Sequence, residues 1–166
     1  MDDFDPDPLV ADLAGALRGA GLRLATAESC TGGMIAAACT ALAGSSDWFE
    51  RGFVTYSNRA KTELLGVPEA LLQTHGAVSE PVARAMALGA LERAPVQRSV
   101  AVTGIAGPGG AVPGKPVGTV WLAWAWRSAD GAPQVDAKRL QLDGDRAAVR
   151  HATVVAALQS LRQSIA

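Results

Sequence analysis

A chain of 166 residues is the size of one ordinary domain and buries about two-thirds of its unfolded surface, so a core forms without disulfide or metal staples. Lys and Arg total 15 against 16 Asp and Glu, a formal charge of −1, which removes the global electrostatic pull expected of a nucleic-acid-binding protein. Cys30 and Cys39 lack ligand spacing and read as free thiols of a reducing cytoplasm; the start MDDFDPDP is acidic where a signal peptide is basic, and no apolar run approaches the ~18 residues of a membrane span.

Residues 1–8 are expected to be flexible. From Leu9 to Leu17, the residues Leu9, Val10, Leu13 and Leu17 recur at helical spacing, and Gly19 and Gly21 punctuate the end. LRLATAES alternates Leu22 and Leu24 with small residues and predicts a strand, followed by the glycine pair Gly32 and Gly33. MIAAACTALA is rich in helix formers and ends at Gly44. The reading here is strand, tight turn, helix. FVTYSN, from Phe53, is β-branched and aromatic and predicts a second strand; NRAKTELLG turns helical and stops at Gly66, with Pro68 opening another short helix. SEPVARAMALGALERA begins with Ser79 as a capping residue and carries an acid and a proline in the first turn. RSVAVTG is a short apolar strand leading into GIAGPGGAVPGKPVG. TVWLAWAWR, apolar on both faces, predicts a central strand, and QVDAKRLQL alternates like its half-exposed hairpin partner across SADGAP. The last helix, in DRAAVRHATVVAALQSLRQ, is read with Val149, Ala152, Ala156 and Leu158 as its buried stripe.

Helices and strands alternate early and a hairpin comes late, which predicts an α/β fold: one domain over 1–166 with a mixed, mostly parallel sheet covered by helices. Sites in such sheets gather where strands end in loops, here after Ala27, Tyr56 and Thr103. In the third loop Gly109, Gly114 and Lys115 imitate a phosphate-binding P-loop. Pro116, however, stands where the Mg²⁺-binding hydroxyl belongs and disfavours a helix starting at Lys115. In the first loop, TAESCTGG places Ser29 at a strand-to-helix turn without the full G-x-S-x-G of a nucleophile elbow. Ser29 is therefore read two ways, as cap of the following helix or as nucleophile, with Cys30 as a rival thiol. Neither His75 nor His151 has a spacing that advertises a base or a metal ligand. Lys61 in YSNRAK is the alternative base, provided burial lowers its pKa from near 10.4.

The motifs AESCTGG, GSSDWFERGFVTYSNRAK, LGV, HGAVSEPVA, TGIAGPGG, KPVGTVW and GDRAAVR, in this order from about Leu9 to Leu161, resemble the CinA C-terminal domain family. The resemblance implies an α/β/α sandwich and hydrolysis of the carboxamide of nicotinamide mononucleotide, a small-molecule nucleotide, to nicotinate mononucleotide and ammonia in pyridine nucleotide recycling. It implies no metal and no organic cofactor. Carried over by motif, Ser29 and Lys61 look like the nucleophile and base of a dyad, and Tyr56 like a site residue that holds the lysine or the amide. Backbone amides near Cys30, Thr31 and Gly32 would then hold the oxyanion. The substrate phosphate must sit away from Lys61, whose pKa a dianion would raise, so an anion site is expected at Thr103, Gly104, Gly107 and Arg146. The resemblance also implies a homodimer, and a stand-alone module without the larger N-terminal domain often fused to it. A nucleotide-binding accessory module and an amidase for another small amide are the competing readings.

Overall fold

The computed structural model describes residues 8–166. The expected flexible start lies outside them except for Pro8, which opens helix α1 (Pro8–Ala20). Strand β1 (Leu24–Glu28) and helix α2 (Met34–Thr40) follow, then a single 3₁₀ turn at Ser45–Asp47 and strand β2 (Phe49–Val54). Three helices come next, α3 (Asn58–Leu65), α4 (Glu69–His75) and α5 (Glu80–Arg93). Strands β3 (Arg98–Gly104), β4 (Thr119–Arg127) and β5 (Pro133–Gln141) precede the final helix α6 (Arg146–Gln163).

The five strands form one sheet in the order β2-β1-β3-β4-β5. β1 pairs in parallel with both β2 and β3, whereas β4 is antiparallel to β3 and to β5. Only β4 therefore opposes the common strand direction. The period of two in the strands divides the core. Leu24, Val100, Val102 and Leu122 point to one face and pack with α1, α2 and α6. Ala25, Ala27, Ala101, Ala123 and Ala125 point to the other and pack with α3, α4 and α5. An alanine-lined face lets α5 approach the sheet closely. The α/β/α sandwich expected from the resemblance is the architecture observed. Among the described residues no helix is long and apolar enough to cross a membrane.

Some boundaries differ from the sequence reading. β2 starts at Phe49 and ends at Val54, so Thr55, Tyr56 and Ser57 form an irregular connection rather than the end of a strand. α2 ends at Thr40, short of the expected run to Gly44. Ser79 precedes α5 in an extended conformation, yet its hydroxyl donates back to the Gly76 carbonyl at 2.8 Å instead of capping the helix. On α6 the buried stripe is Val149, Thr153, Val154, Ala157, Leu158, Ser160 and Leu161, while Ala152 and Ala156 are half-buried. Val149 and Leu158 are buried as expected, whereas Thr153 and Ala157 take the places expected of Ala152 and Ala156, since alanine suits either face of a helix.

Candidate active site

Ser29 follows the last residue of β1. Its amide donates to the Val102 carbonyl at 3.1 Å, extending the β1–β3 ladder by one residue, and the Gly32 amide turns back to the Ser29 carbonyl at 3.0 Å. The chain then reverses through Gly32 and Gly33, whose φ values of 58° and 109° are left-handed and favour glycine. The N-cap of α2 is Gly33, with no side-chain cap bond. The cap reading of Ser29 thus fails.

What meets the Ser29 hydroxyl is Lys61. On the neighbouring strand, the Thr55 amide donates to the Glu28 carbonyl at 2.8 Å, which carries the β1–β2 pairing past the end of β2. Ser57 then starts α3, its hydroxyl accepting from the Ala60 amide at 3.0 Å, and Lys61 lies in the first turn with its side chain directed back at the sheet. Lys61 Nζ lies 2.9 Å from Ser29 Oγ and 2.9 Å from the Thr55 carbonyl oxygen, with the Tyr56 carbonyl at 3.4 Å. Lys61 is 1 % exposed and Ser29 8 %. Burial brings the Lys61 pKa from 10.5 down to about 8, against a smaller upward pull from Cys30. About a tenth of the lysine is then neutral at pH 7. A neutral amine has two N–H bonds and one lone pair; the carbonyls of Thr55 and Tyr56 suit the former, leaving the lone pair for the Ser29 proton.

Cys30 stays a thiol: burial pushes it up to about 11, and the nearby Arg150 and Lys61 lower it by less. Cys39, in the core, is pushed up to about 12, again by burial.

A cavity of about 200 Å³ opens over the pair, and of the expected residues Ser29, Cys30, Tyr56, Lys61, Thr103, Gly104 and Arg146 line it. Asn58, Ala77, Val78 and Ala106 complete the wall. Thr31, Gly32 and Gly107 do not belong to it. Thr31 is buried and donates its hydroxyl to Glu28 Oε1 at 2.6 Å. The Gly32 amide is engaged by Ser29, and no such bond holds the amides of Cys30 or Thr31 among the described residues. Gly107 offers its carbonyl to Arg146 Nη1 at 2.9 Å. Gly104 is glycine for packing, since a Cβ there would come within 2.6 Å of Val120 Cγ2 and 3.0 Å of the Thr119 carbonyl oxygen. Thr103 Oγ1 donates to the Ala77 carbonyl at 3.0 Å. Tyr56 is 64 % exposed, and its hydroxyl accepts from Arg146 Nη2 at 3.2 Å, so its side chain serves the arginine rather than the lysine. Arg146 makes no ion pair among the described residues. Its charge faces only neutral acceptors at the cavity mouth.

The P-loop imitation dissolves in three dimensions. Val112 and Lys115 bridge one another in a tight turn, and Lys115 Nζ donates to the His75 carbonyl at 2.7 Å at the end of α4. His151 is exposed on α6.

Two charged residues beside the site were given no role by the sequence reading. Glu28, 1 % exposed at the end of β1, accepts from the Ile35 amide at 2.8 Å, the Ala36 amide at 3.1 Å and the Thr31 hydroxyl. It supplies the cap that Gly33 lacks. Arg150 on α6 reaches the carbonyls of Cys30 and Thr31. An acid closing a strand of apolar and small residues was the available signal for Glu28, and the four-residue step from Arg146 was the one for Arg150.

The CinA C-terminal domain profile matches residues 7–165. The chain is 53% identical to the nicotinamide-nucleotide amidohydrolase PncC of Pseudomonas putida, covering 96% of this chain and 98% of that protein. It is 49% identical to the protein of the same name from Escherichia coli strain K12, covering 98% and 96%. Among solved structures, the competence/damage inducible protein CihA from Agrobacterium tumefaciens superposes with a TM-score of 0.89 at 46% identity, covering 97% of both chains. On this profile match and these near full-length relatives, the chain belongs to the CinA C-terminal domain family.

Proposed function

We propose that this chain is a nicotinamide-nucleotide amidohydrolase, converting nicotinamide mononucleotide and water to nicotinate mononucleotide and ammonia. The observation that carries the reading is the 2.9 Å contact between a buried lysine and the Ser29 hydroxyl at the floor of a cavity. The names of the Pseudomonas putida and Escherichia coli relatives supply the substrate.

In this mechanism neutral Lys61 takes the Ser29 proton as Oγ attacks the carboxamide carbon, and the amides of Cys30 and Thr31 receive the oxyanion. Collapse expels the amide nitrogen, which takes the proton from Lys61 and leaves as ammonia, and the ring carbonyl stays esterified to Ser29. Water then attacks the ester while Lys61 accepts its proton. The lysine returns that proton to Ser29 as the product departs as the acid, which ionises to the carboxylate in water. The cavity, at about 200 Å³, is below the ~300–1,000 Å³ that encloses a drug-sized ligand, so it suits the pyridine ring while the phosphoribosyl part runs out toward the mouth. Arg146 and the Tyr56 hydroxyl wait there for the phosphate. This separation keeps the dianion from raising the lysine pKa.

The reading extends to a cytoplasmic homodimer acting on small molecules rather than nucleic acid, with the described residues 8–166 as one folding unit; sedimentation equilibrium checks the dimer. The test of function is incubation of the pure, chelator-treated protein with nicotinamide mononucleotide, measuring ammonia and nicotinate mononucleotide together. Equimolar products from wild type and none from Ser29→Ala are expected. No product at high enzyme concentration would sink the proposal. Nicotinamide, its riboside and NAD run beside it; preference for any of these over the mononucleotide would transfer the reading to another small amide.

A further inference from the structure

Arg150 lies one turn beyond Arg146 on α6, but its guanidinium serves a different target. Nε donates to the Cys30 carbonyl at 3.1 Å and Nη2 to the Thr31 carbonyl at 3.4 Å. Among the described residues no carboxylate pairs with Arg150. The planar fork of a guanidinium matches a carboxylate best, yet here two consecutive carbonyls of the turn after Ser29 take that place.

A peptide unit is planar and trans, so holding its carbonyl also fixes the N–H on the opposite side. The Cys30 carbonyl shares its plane with the Thr31 amide, and the Thr31 carbonyl shares its plane with the Gly32 amide. Arg150 therefore fixes two of the three planes between Ser29 and Gly32. The third is fixed by the Gly32 amide bonding to the Ser29 carbonyl at 3.0 Å, and it contains the Cys30 amide. What this frame leaves uncommitted are the amides of Cys30 and Thr31. A cation on the carbonyl side also polarises the peptide units and strengthens their N–H groups as donors.

We infer that Arg150 is a positioning residue for amide hydrolysis, holding the peptide planes after Ser29 so that the Cys30 and Thr31 amides meet the oxyanion as it forms. This rests on the proposed role of Ser29 as nucleophile. Arg150 touches no substrate atom in this account; it acts through the backbone.

Arg150→Ala in the full chain is expected to lower kcat for nicotinamide mononucleotide about 10- to 100-fold, somewhat less than deleting an oxyanion donor outright, with KM within about twofold. Two ligands then separate positioning from general damage. The aldehyde analogue, with a formyl group in place of the carboxamide, adds the Ser29 hydroxyl across its carbonyl to form a hemiacetal whose oxygen occupies the oxyanion position. Its affinity should fall by about the factor seen in kcat, while that of nicotinate mononucleotide, whose carboxylate stays planar, holds within about twofold. An unchanged kcat, or equal loss of affinity for both ligands, overturns the inference. Arg150→Lys keeps the charge without the fork; it is expected to fall between wild type and Arg150→Ala, and it carries the same comparison should the alanine variant fail to fold. Ser29→Ala runs in the same assay. Turnover surviving that change defeats the proposed nucleophile, whereas an inert Ser29→Ala beside an undiminished Arg150→Ala defeats only the role of Arg150.

Discussion

A lysine brought down to about 8 by burial sets the pH profile of any reaction that uses it as base. Only the neutral form accepts the Ser29 proton, so kcat/KM should rise about tenfold per pH unit below 8 and level off above it. Lys61→Met should lack that limb and lose about 10³-fold or more in rate throughout; a variant keeping the wild-type profile would remove Lys61 from the chemistry. The thiol beside the nucleophile behaves oppositely. Pushed up to about 11, Cys30 is protonated at neutral pH, so Cys30→Ala should stay within about tenfold of wild-type kcat, and iodoacetamide should alkylate native Cys30 slowly. Local sequence left Ser29 between cap and nucleophile, and Cys30 as a rival, because what decides between them lies 32 positions away. Sequence spacing does not contain that contact; the parallel pairing of β1 with β2, continued by the Thr55 amide on the Glu28 carbonyl, creates it.

Whole elements were legible where a pattern ran long, as in α1 and α5, and less so where strand meets turn. β2 begins four residues before its expected start, since Phe49 to Gly52 interleaves charges and a glycine, which hide an edge strand whose residues are at most half-buried. The short helix α2 was visible from its composition, but not what holds its start. Seven residues make a marginal helix, and the Glu28 carboxylate on β1 takes the amides of Ile35 and Ala36 that would otherwise be unpaired. Glu28→Ala should therefore cost about 3 kcal/mol, leaving buried donors unsatisfied, and Glu28→Gln about half as much; urea unfolding midpoints check both. A second contact between elements sits under Lys61. Gly89 on α5 faces the end of α3, where an added Cβ would lie 2.0 Å from the Leu65 carbonyl oxygen. Gly89→Ala must push α3 and α5 apart, with an expected loss of about 2 kcal/mol in the same measurement. Because α3 carries Lys61, kcat should fall as well. A variant that is destabilised yet fully active would show that the dyad tolerates a shift of α3.

Across the molecule, the two cores sit on opposite faces of one sheet and share its strands, so unfolding is expected as one cooperative transition whose midpoint reports every buried titratable group at once. Three such groups have opposing signs. Folded Lys61 gives up its proton near pH 8, while the unfolded chain keeps it to 10.5. Between those values the unfolded state binds more protons, so stability rises with pH by about 1.4 kcal/mol per unit. The buried thiols do the reverse. The unfolded cysteines lose their protons from about 9.0, whereas folded Cys30 and Cys39 hold theirs to about 11 and about 12, so each lowers stability as pH climbs above 9. One rising contribution against two falling ones places a shallow stability maximum near pH 9, about 0.3 kcal/mol above the value at pH 8. Urea titrations at half-unit steps from pH 7 to 10 would trace it. Lys61→Met should abolish the rise between 8 and 9 and leave the fall, and Cys30→Ala with Cys39→Ala should move the maximum above pH 10. In that cysteine-free variant stability should rise by about 1 kcal/mol from pH 8 to 9; a flat curve there would mean that Lys61 holds its proton as firmly folded as unfolded, and a lysine in that state is too seldom neutral near pH 7 to serve as the base.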